Sequence, residues 1–294
     1  MAVGAIFLVM TGTITYKFAS HFCPADHMPP LPSVHGQTQT LWERESARPI
    51  LPISQKVTRF SGLEAARNET VTGLVSKIFN ESFGYRPDGR PYRLGPKSTA
   101  ERLASTDFLF IAGDEQSGIG YLFGKEIPSL SGRIAWIESM AVLPLCRKQG
   151  IATALLHKFR LATKGSSKIG CATPNPIAAL VVTRAIPGTL YIGNCNPPAA
   201  VLHMLREIRQ HCFDLRGCAI QEKTLRIKTG FSPLSRSDER KWNPRTPSSP
   251  PYWWNELEHL PNDYEALLVI ERTDSPSTSC NAVGYANEAP QTKA

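Results

Sequence analysis

The chain has 294 residues, of which 41% are hydrophobic and 20% charged, and its formal net charge at pH 7 is +8. These values are typical of a globular protein with one domain of about 200 residues and flexible ends. The seven cysteines are odd in number, and their spacings match neither a metal site nor a disulfide framework. The composition therefore argues against a disulfide scaffold and favours scattered, reduced thiols in a cytoplasmic protein.

Positive charge is concentrated in one part of the chain. Residues 141–250 hold 17 Lys and Arg against 5 Asp and Glu, whereas the remaining residues hold 16 against 20. This imbalance suits a polyanionic ligand. It also suits nucleic acid, but the sequence has no recognisable helix-turn-helix, zinc-finger or RNA-binding motif, so no nucleic-acid partner is expected.

The first 54 residues are interpreted as a leader or linker. Ala2–Met10 is apolar, but this stretch is short for a membrane span of about 20 residues, so no stable membrane association is expected. A signal peptide or anchor at residues 1–16 stays an alternative to a cytoplasmic location. Residues 18–54 are rich in proline, histidine and polar residues, which is typical of an extended segment.

Hydrophobic periodicity predicts alternating strands and helices from about residue 55 onward. In chain order they are a strand at Val57–Phe60, a helix at Leu63–Phe83, a short helix at Ser98–Ala104, a hairpin of Asp107–Gly113 and Ile119–Gly124, a strand at Ile134–Val142, a helix at Gly150–Ala162, a strand at Ile169–Ala172, a helix at Pro176–Ala185, an amphipathic helix at Pro198–Cys212 and a strand at Thr224–Thr229.

The segment that follows the Ile134–Val142 strand carries the pattern Arg-x-x-Gly-x-Ala at residues 147–152. A strand, a short turn and a helix in this order leave unpaired backbone N–H groups at the helix N-terminus, where they suit a phosphate or pyrophosphate. Gly150 lets a ligand approach the backbone closely, and Arg147 and Lys148 add positive charge at the same end. The alternative is an ordinary strand–turn–helix with a solvated basic turn.

This pattern resembles the pyrophosphate-binding signature of the GNAT acetyltransferase superfamily, whose general form is Gln/Arg-x-x-Gly-x-Gly/Ala. The resemblance covers residues 55–190 and a last strand near Ala266–Ile270. It implies an α/β fold (mixed α+β) with a GNAT-type central mixed β-sheet and helices on both faces. The domain is expected to span residues 55–272, with a long insertion at 195–262 before the last strand, and residues 273–294 are expected to be a disordered tail.

The resemblance also implies acetyl-CoA (coenzyme A) as cofactor. By analogy with the family, the backbone of the fourth strand binds the pantetheine arm and the signature binds the pyrophosphate. The asparagine that begins the helix after the fifth strand also bonds to the pantetheine arm. The matching cofactor-binding residues are Met140, Ala141, Val142, Arg147, Lys148, Gln149, Gly150, Ile151, Ala152 and Asn175. For Asn175, a plain helix cap is the alternative.

Two residues are candidates for catalysis. Glu138 is the candidate general base, because it alternates with Met140 and Val142 on a strand and burial would raise its pKa. Its alternative is binding of substrate or of a structural arginine at the open seam of the sheet. The family's general acid is often a tyrosine where this chain has Val182, so Tyr191, farther along, is the candidate acid, with a core aromatic as the alternative.

These features predict an acetyl-CoA-dependent N-acetyltransferase that acts on a primary amine of a small molecule or a peptide by direct transfer in a ternary complex. The missing tyrosine at Val182 supports an alternative, a non-catalytic acyl-CoA-binding sensor or scaffold. No metal is expected, and a homodimer is left open. The aromatic run Tyr252–Trp254 either lines the acceptor site or packs under a long loop, and burial tendencies favour packing.

Overall fold

The computed structural model describes residues 56–83, 90–129, 132–193, 197–231, 250–261 and 263–273. The predicted leader at 1–54 and the predicted tail from residue 274 onward lie outside these ranges. No helix within the described ranges has the length and apolarity that a membrane span requires.

Nine strands of the described residues form one mixed sheet. They are β1 (Val57–Ser61), β2 (Phe108–Ala112), β3 (Gly120–Ser129), β4 (Gly132–Val142), β5 (Lys168–Thr173), β6 (Gly188–Tyr191), β7 (Ile220–Gln221), β8 (Arg226–Lys228) and β9 (Tyr264–Arg272). Their order is β1-β2-β3-β4-β5-β9-β8-β7, and β6 also pairs with β9. The pair β4–β5 is parallel, and every other pair is antiparallel. The predicted mixed sheet is confirmed.

Helices connect these strands. They are α1 (Gly62–Arg67), α2 (Glu69–Ser82), α3 (Pro96–Ala104), α4 (Ile151–Ala162), α5 (Pro176–Ala185), α6 (Ala199–His211) and α7 (Trp254–Glu258). Single 3₁₀ turns lie at Pro144–Cys146 and Phe213–Leu215.

The helix predicted at Leu63–Phe83 is two helices in the structure. Ser61 and Glu64 form a capping box that starts α1, and the side chain of Asn68 then accepts hydrogen bonds from the N–H groups of Thr70 and Val71 and starts α2. Only one residue separates the two helices, so the apolar spacing continues almost unchanged across the break. The periodicity therefore did not show it.

The helices cover both faces of the sheet, as predicted. On one face, called the front face here, α1–α3 pack over β1–β4 and α6 packs over β4, β5 and β9. On the other, called the back face, α4, α5 and α7 pack against the sheet. Over the front face, an ion pair of Arg102 with Asp214 joins α3 to the 3₁₀ turn that follows α6.

The described part of the 195–262 segment belongs to this core. The apolar side of α6 packs on the front face, and the β7–β8 hairpin extends the sheet beyond β9. Trp253 and Trp254 are 2% and 5% exposed and pack on the back face, whereas Tyr252 is exposed. The two tryptophans therefore have the packing role that burial tendencies favoured.

Candidate active site

A gap in the sheet lies between β4 and β5. The two parallel strands pair only where residues 134–137 lie beside residues 168–171. β4 continues to Val142 along β3, but its residues 138–142 have no register partner in β5. The unpaired stretch is called the seam here, and it offers strand backbone to a ligand in the middle of a sheet.

The backbone of Met140 and Val142 faces this seam. The N–H of Leu143 donates to the carbonyl of Ile119 at 2.9 Å, so alternate residues of β4 bond to β3 and those between them are directed to the other side. The carbonyl of Val142 accepts from the Ser82 hydroxyl at 3.3 Å and from Arg147 Nε at 3.2 Å. The N–H groups of Met140 and Val142 and the carbonyl of Met140 are the groups that remain directed to the seam.

The N-terminus of α4 lies just beyond the end of β4. Gly150 is its N-cap residue, has a left-handed φ of 77° and provides no side-chain cap. The first backbone bond runs from the N–H of Ala154 to the carbonyl of Gly150, and no backbone bond among the described residues uses the N–H groups of residues 148–153. Lys148 also has a positive φ, 64°. Consecutive free N–H groups with such backbone form a site suited to an anion.

Arg147, which was predicted to add positive charge at this end of α4, donates from its guanidinium to two backbone carbonyls. Its Nη2 donates to the carbonyl of Ser82 at 3.3 Å, in addition to the bond from Nε to Val142. The guanidinium thus ties the C-terminal end of α2 to the end of β4, where strand pairing has ended and carbonyl groups need donors. Lys148 and Gln149 are exposed and are the polar side chains nearest the free N–H groups.

Glu138 is the extra residue of a β-bulge. Gly124 of β3 pairs with Ile137 and Phe123 with Ser139, so Glu138 has no partner of its own. The prediction that Glu138 shares a face with Met140 and Val142 is therefore wrong. Those two residues pack on the back face, whereas the bulge shifts the alternation by one residue and leaves the Glu138 carboxylate on the front face.

The Glu138 carboxylate forms a buried ion pair. Lys125 Nζ lies 2.8 Å from Glu138 Oε1, and the two side chains are 10% and 3% exposed. Lys125 also donates to the carbonyl of His211 at 2.9 Å, at the end of α6, and the thiol of Cys212 lies beside Glu138. Burial raises the pKa of Glu138, and the bond with the Lys125 ammonium lowers it in part. The partner of this carboxylate is thus a lysine.

The structure does not bring Tyr191 to the seam. It lies in β6, opposite Val269, and its hydroxyl donates to Glu271 Oε2 at 3.3 Å. Glu271 is in register with Lys168, at the end of β5 away from the seam. Val182, where the family often has tyrosine, is a core residue. The order of residues along the chain gave no sign that β6 would pair at this end of β9.

Asn175 lies at the other side of the seam, at the end of β5. Its Oδ1 accepts from the N–H groups of Ile177 at 2.8 Å and Ala178 at 3.3 Å, which makes it the N-cap of α5. The structure therefore shows the helix cap, and a bond of Asn175 with the pantetheine arm stays a prediction. Pro176 at the first helical position fits the same start.

Sequence reasoning missed Glu265, a residue at the beginning of β9. Its Oε1 accepts from Thr229 Oγ1 at 2.6 Å, and the residue as a whole is half-buried. Burial of the carboxyl raises its pKa to about 7. The one signal in the sequence was an acid directly before the apolar run Ala266–Ile270, which by itself is a weak indication.

The part of the chain that contains this site is similar to a known family. The model of the acetyltransferase (GNAT) family matches residues 74–176. That stretch runs from within α2 to the first residue of α5, and it contains the seam and the N-terminus of α4. The resemblance stated from the Arg147–Ala152 signature is confirmed over these residues.

Solved structures of acetyltransferases are similar to part of the chain. An aminoglycoside acetyltransferase from an uncultured soil metagenomic sample is 25% identical, covers 44% of this chain and 88% of its own, and has a TM-score of 0.32. Diaminobutyrate acetyltransferase from Paenibacillus lautus is 17% identical, covers 49% of this chain and 88% of its own, and has a TM-score of 0.32. The ribosomal-protein-S18-alanine N-acetyltransferase from Escherichia coli is 16% identical, covers 49% of this chain and 86% of its own, and has a TM-score of 0.33. No curated protein sequence matches the chain.

Proposed function

We propose that the protein is an acetyl-CoA-dependent N-acetyltransferase that moves an acetyl group to a primary amine of a small molecule or a peptide. The N-terminus of α4 carries this proposal, because the free N–H groups of residues 148–153 lie beside a seam whose strand backbone is also available. The first feature suits a pyrophosphate and the second an extended amide-containing chain. The family match over residues 74–176 supports acetyl transfer as the reaction.

The residues of the chain divide into two binding roles. The N–H groups of residues 148–153 bind the pyrophosphate, and the exposed Lys148 adds charge beside it. The backbone of Met140 and Val142 binds the amide groups of the pantetheine arm, as a neighbouring strand would. Arg147 holds the end of β4 against α2 and so fixes the position of this edge.

Transfer takes place directly between the two bound substrates. The amine nitrogen attacks the thioester carbonyl carbon, a C–N bond forms, the C–S bond breaks, and the thiolate takes up the proton that the amine loses. Glu138 stays the proposed general base, because burial raises its pKa and a carboxylate with a raised pKa is a stronger base. Since its side chain is 3% exposed, it acts through a water molecule. Tyr191 has no role in this proposal.

The experiment that tests the proposal is a thermal-shift titration of the full chain. A ligand that binds only the native state raises the melting temperature with its concentration. We expect acetyl-CoA and CoA to do so and pantetheine, which lacks the pyrophosphate, to have a much smaller effect. Absence of a shift with acetyl-CoA in a folded sample would overturn the proposal.

Turnover is then measured as thiol released from acetyl-CoA with a panel of primary amines. The variant E138Q is expected to keep the acetyl-CoA shift and to lose most of the turnover. A variant with unchanged turnover would remove Glu138 from the mechanism while leaving the cofactor site in place.

A second candidate is an acyl-CoA-binding sensor or scaffold without turnover. Two observations support this candidate. Glu138 is buried in a pair with Lys125, and Tyr191 lies away from the seam, so neither of the two predicted catalytic residues is exposed at the seam. A shift with acetyl-CoA together with no thiol release for any amine of the panel would favour this candidate.

A further inference from the structure

Glu265 lies on the front face, at the level of the seam. It pairs with Ile227, and Leu267 and Val269, which alternate with it along β9, pack in the front-face cluster under α6. Ala266 is in register with Thr173, the last residue of β5. Glu265 is therefore one residue beyond the end of β5, on the side where β4 and β5 no longer pair.

The carboxylates of Glu138 and Glu265 lie on the same face of the sheet, but they differ in the groups that balance their negative charge. Glu138 has the ammonium of Lys125 at 2.8 Å. For Glu265, the described residues supply the Thr229 hydroxyl but no ion pair with lysine or arginine, and the charge of Asp214 raises its pKa further. A carboxylate withdrawn from water without a counter-charge favours a cation from outside the chain.

Half-buried aromatic residues are linked to this carboxylate through Thr229. The Thr229 hydroxyl that donates to Glu265 also accepts from the N–H of Phe231 at 3.3 Å. The ring of Phe231 lies 4.8 Å from that of Tyr92 and 5.7 Å from that of Phe83, measured between centroids. Tyr92 is fixed by a bond from its hydroxyl to the carbonyl of Gly230 at 2.5 Å. Aromatic faces attract cations, so these rings and the carboxylate favour the same kind of ligand.

The aromatic group is joined to the seam by direct contacts. Phe83 follows Ser82, whose hydroxyl donates to the carbonyl of Val142 at the end of β4 at 3.3 Å. The ring of Phe83 stacks on that of Phe79 of α2 at 4.3 Å. The carboxylate and the rings thus belong to a continuous set of residues that begins at the seam edge of β4.

We propose that Glu265, with Tyr92 and Phe231, binds a second cationic group of the acceptor, so that the substrate class is a diamine. One amine of such an acceptor takes the acetyl group at the seam, and the other is held as ammonium by the carboxylate and the rings. This assignment rests on the proposed function, because it specifies the acceptor of that same site. It makes Glu265 a specificity-determining residue.

The test compares two series of acceptors on the full chain. The first consists of 1,4-diaminobutane, 1,5-diaminopentane and 1,6-diaminohexane, and the second of the monoamines butylamine, pentylamine and hexylamine. The rate of thiol release gives kcat/KM for each. The matched variants are E265Q and E271Q, because Glu271 is an exposed carboxylate on the same strand, at the end away from the seam.

We expect at least one diamine to exceed the monoamine of equal length about tenfold, which corresponds to one charge-assisted contact. E265Q should remove this preference, largely through a higher KM for the diamine, and should keep the acetyl-CoA shift. E271Q should leave the preference unchanged. Retention of the acetyl-CoA shift in E265Q shows that the variant is folded.

Three results would overturn the assignment. These are equal kcat/KM for diamines and monoamines, a diamine preference that persists in E265Q, and no turnover of either series by a protein that acetyl-CoA stabilises. If acetyl-CoA gives no thermal shift, the failure lies with the proposed function itself, so the two failures are distinguishable.

Discussion

Among the described residues, Lys125 and Glu138 form an ion pair in which both side chains are largely withdrawn from water, at 10% and 3% exposure. The ion pair lies where the bulge of β4 meets the end of α6, since Lys125 also bonds to the carbonyl of His211. Removing one partner of a buried pair leaves the other charge uncompensated, whereas removing both leaves no charge to bury. The pair therefore couples the conformation of the bulge to the position of α6.

The variant K125M is expected to lower the free energy of unfolding by about 3–5 kcal/mol. The double variant K125M/E138L should recover a large part of this loss, because no charge stays buried. Urea denaturation of the two variants and of E138L alone gives the coupling energy. If K125M changes the stability by less than about 0.5 kcal/mol, the range of exposed pairs, the two groups are solvated and the pair is not a buried one.

At the scale of elements, the start of α4 is the part of the site that the sequence predicted best. The helix begins at Ile151, after Gly150, as the Arg-x-x-Gly-x-Ala pattern indicated. Glycine is favoured at position 150 because its backbone φ of 77° is left-handed, a conformation that glycine adopts without steric cost. Aspartate tolerates this region better than most residues and is a good N-cap, so an aspartate at position 150 is compatible with a folded helix.

We expect G150D to weaken acetyl-CoA binding at least about tenfold, because it places a negative charge at the anion site. The matched control is G165D, because Gly165 is an exposed turn residue and an added Cβ there has no heavy atom within 4 Å. Isothermal titration of both variants with acetyl-CoA measures the effect. Equal affinities in the two folded variants would contradict the placement of the pyrophosphate.

The elements that sequence reasoning missed share a physical cause. The β-bulge at Glu138 depends on Gly124 in the neighbouring strand, where a Cβ would lie 2.3 Å from the carbonyl oxygen of Trp136. Periodicity along one strand does not contain that information. Likewise, β6 forms because β9 has a free edge beyond β8, so its existence is decided by a strand about 80 residues later in the chain.

The whole molecule shows the same division between local and distant information. The strands β1 to β5, the helices α3 to α6, the N-cap of α5 and the position of the signature follow from local patterns, and the structure has them close to where they were predicted. The partner of Glu138, the direction of the Tyr191 hydroxyl and the surroundings of Glu265 depend on contacts between distant segments. The chemistry of the candidate site therefore needed the structure, although its location did not.

The seam also divides the chain in a way that permits reassembly. Strands β1–β4 and helix α4 all precede residue 165, and β5–β9 all follow it. Among the described residues, strand pairing joins the two halves at residues 134–137 and 168–171, and the N–H of Ser167 adds a bond to the carbonyl of Arg133. A break in the exposed turn at Gly165 thus separates two contiguous pieces, each with its own part of the sheet. We expect coexpressed fragments 1–165 and 166–294 to copurify through a tag on one of them and to regain stabilisation by acetyl-CoA, so that the ligand becomes a bridge between two polypeptides.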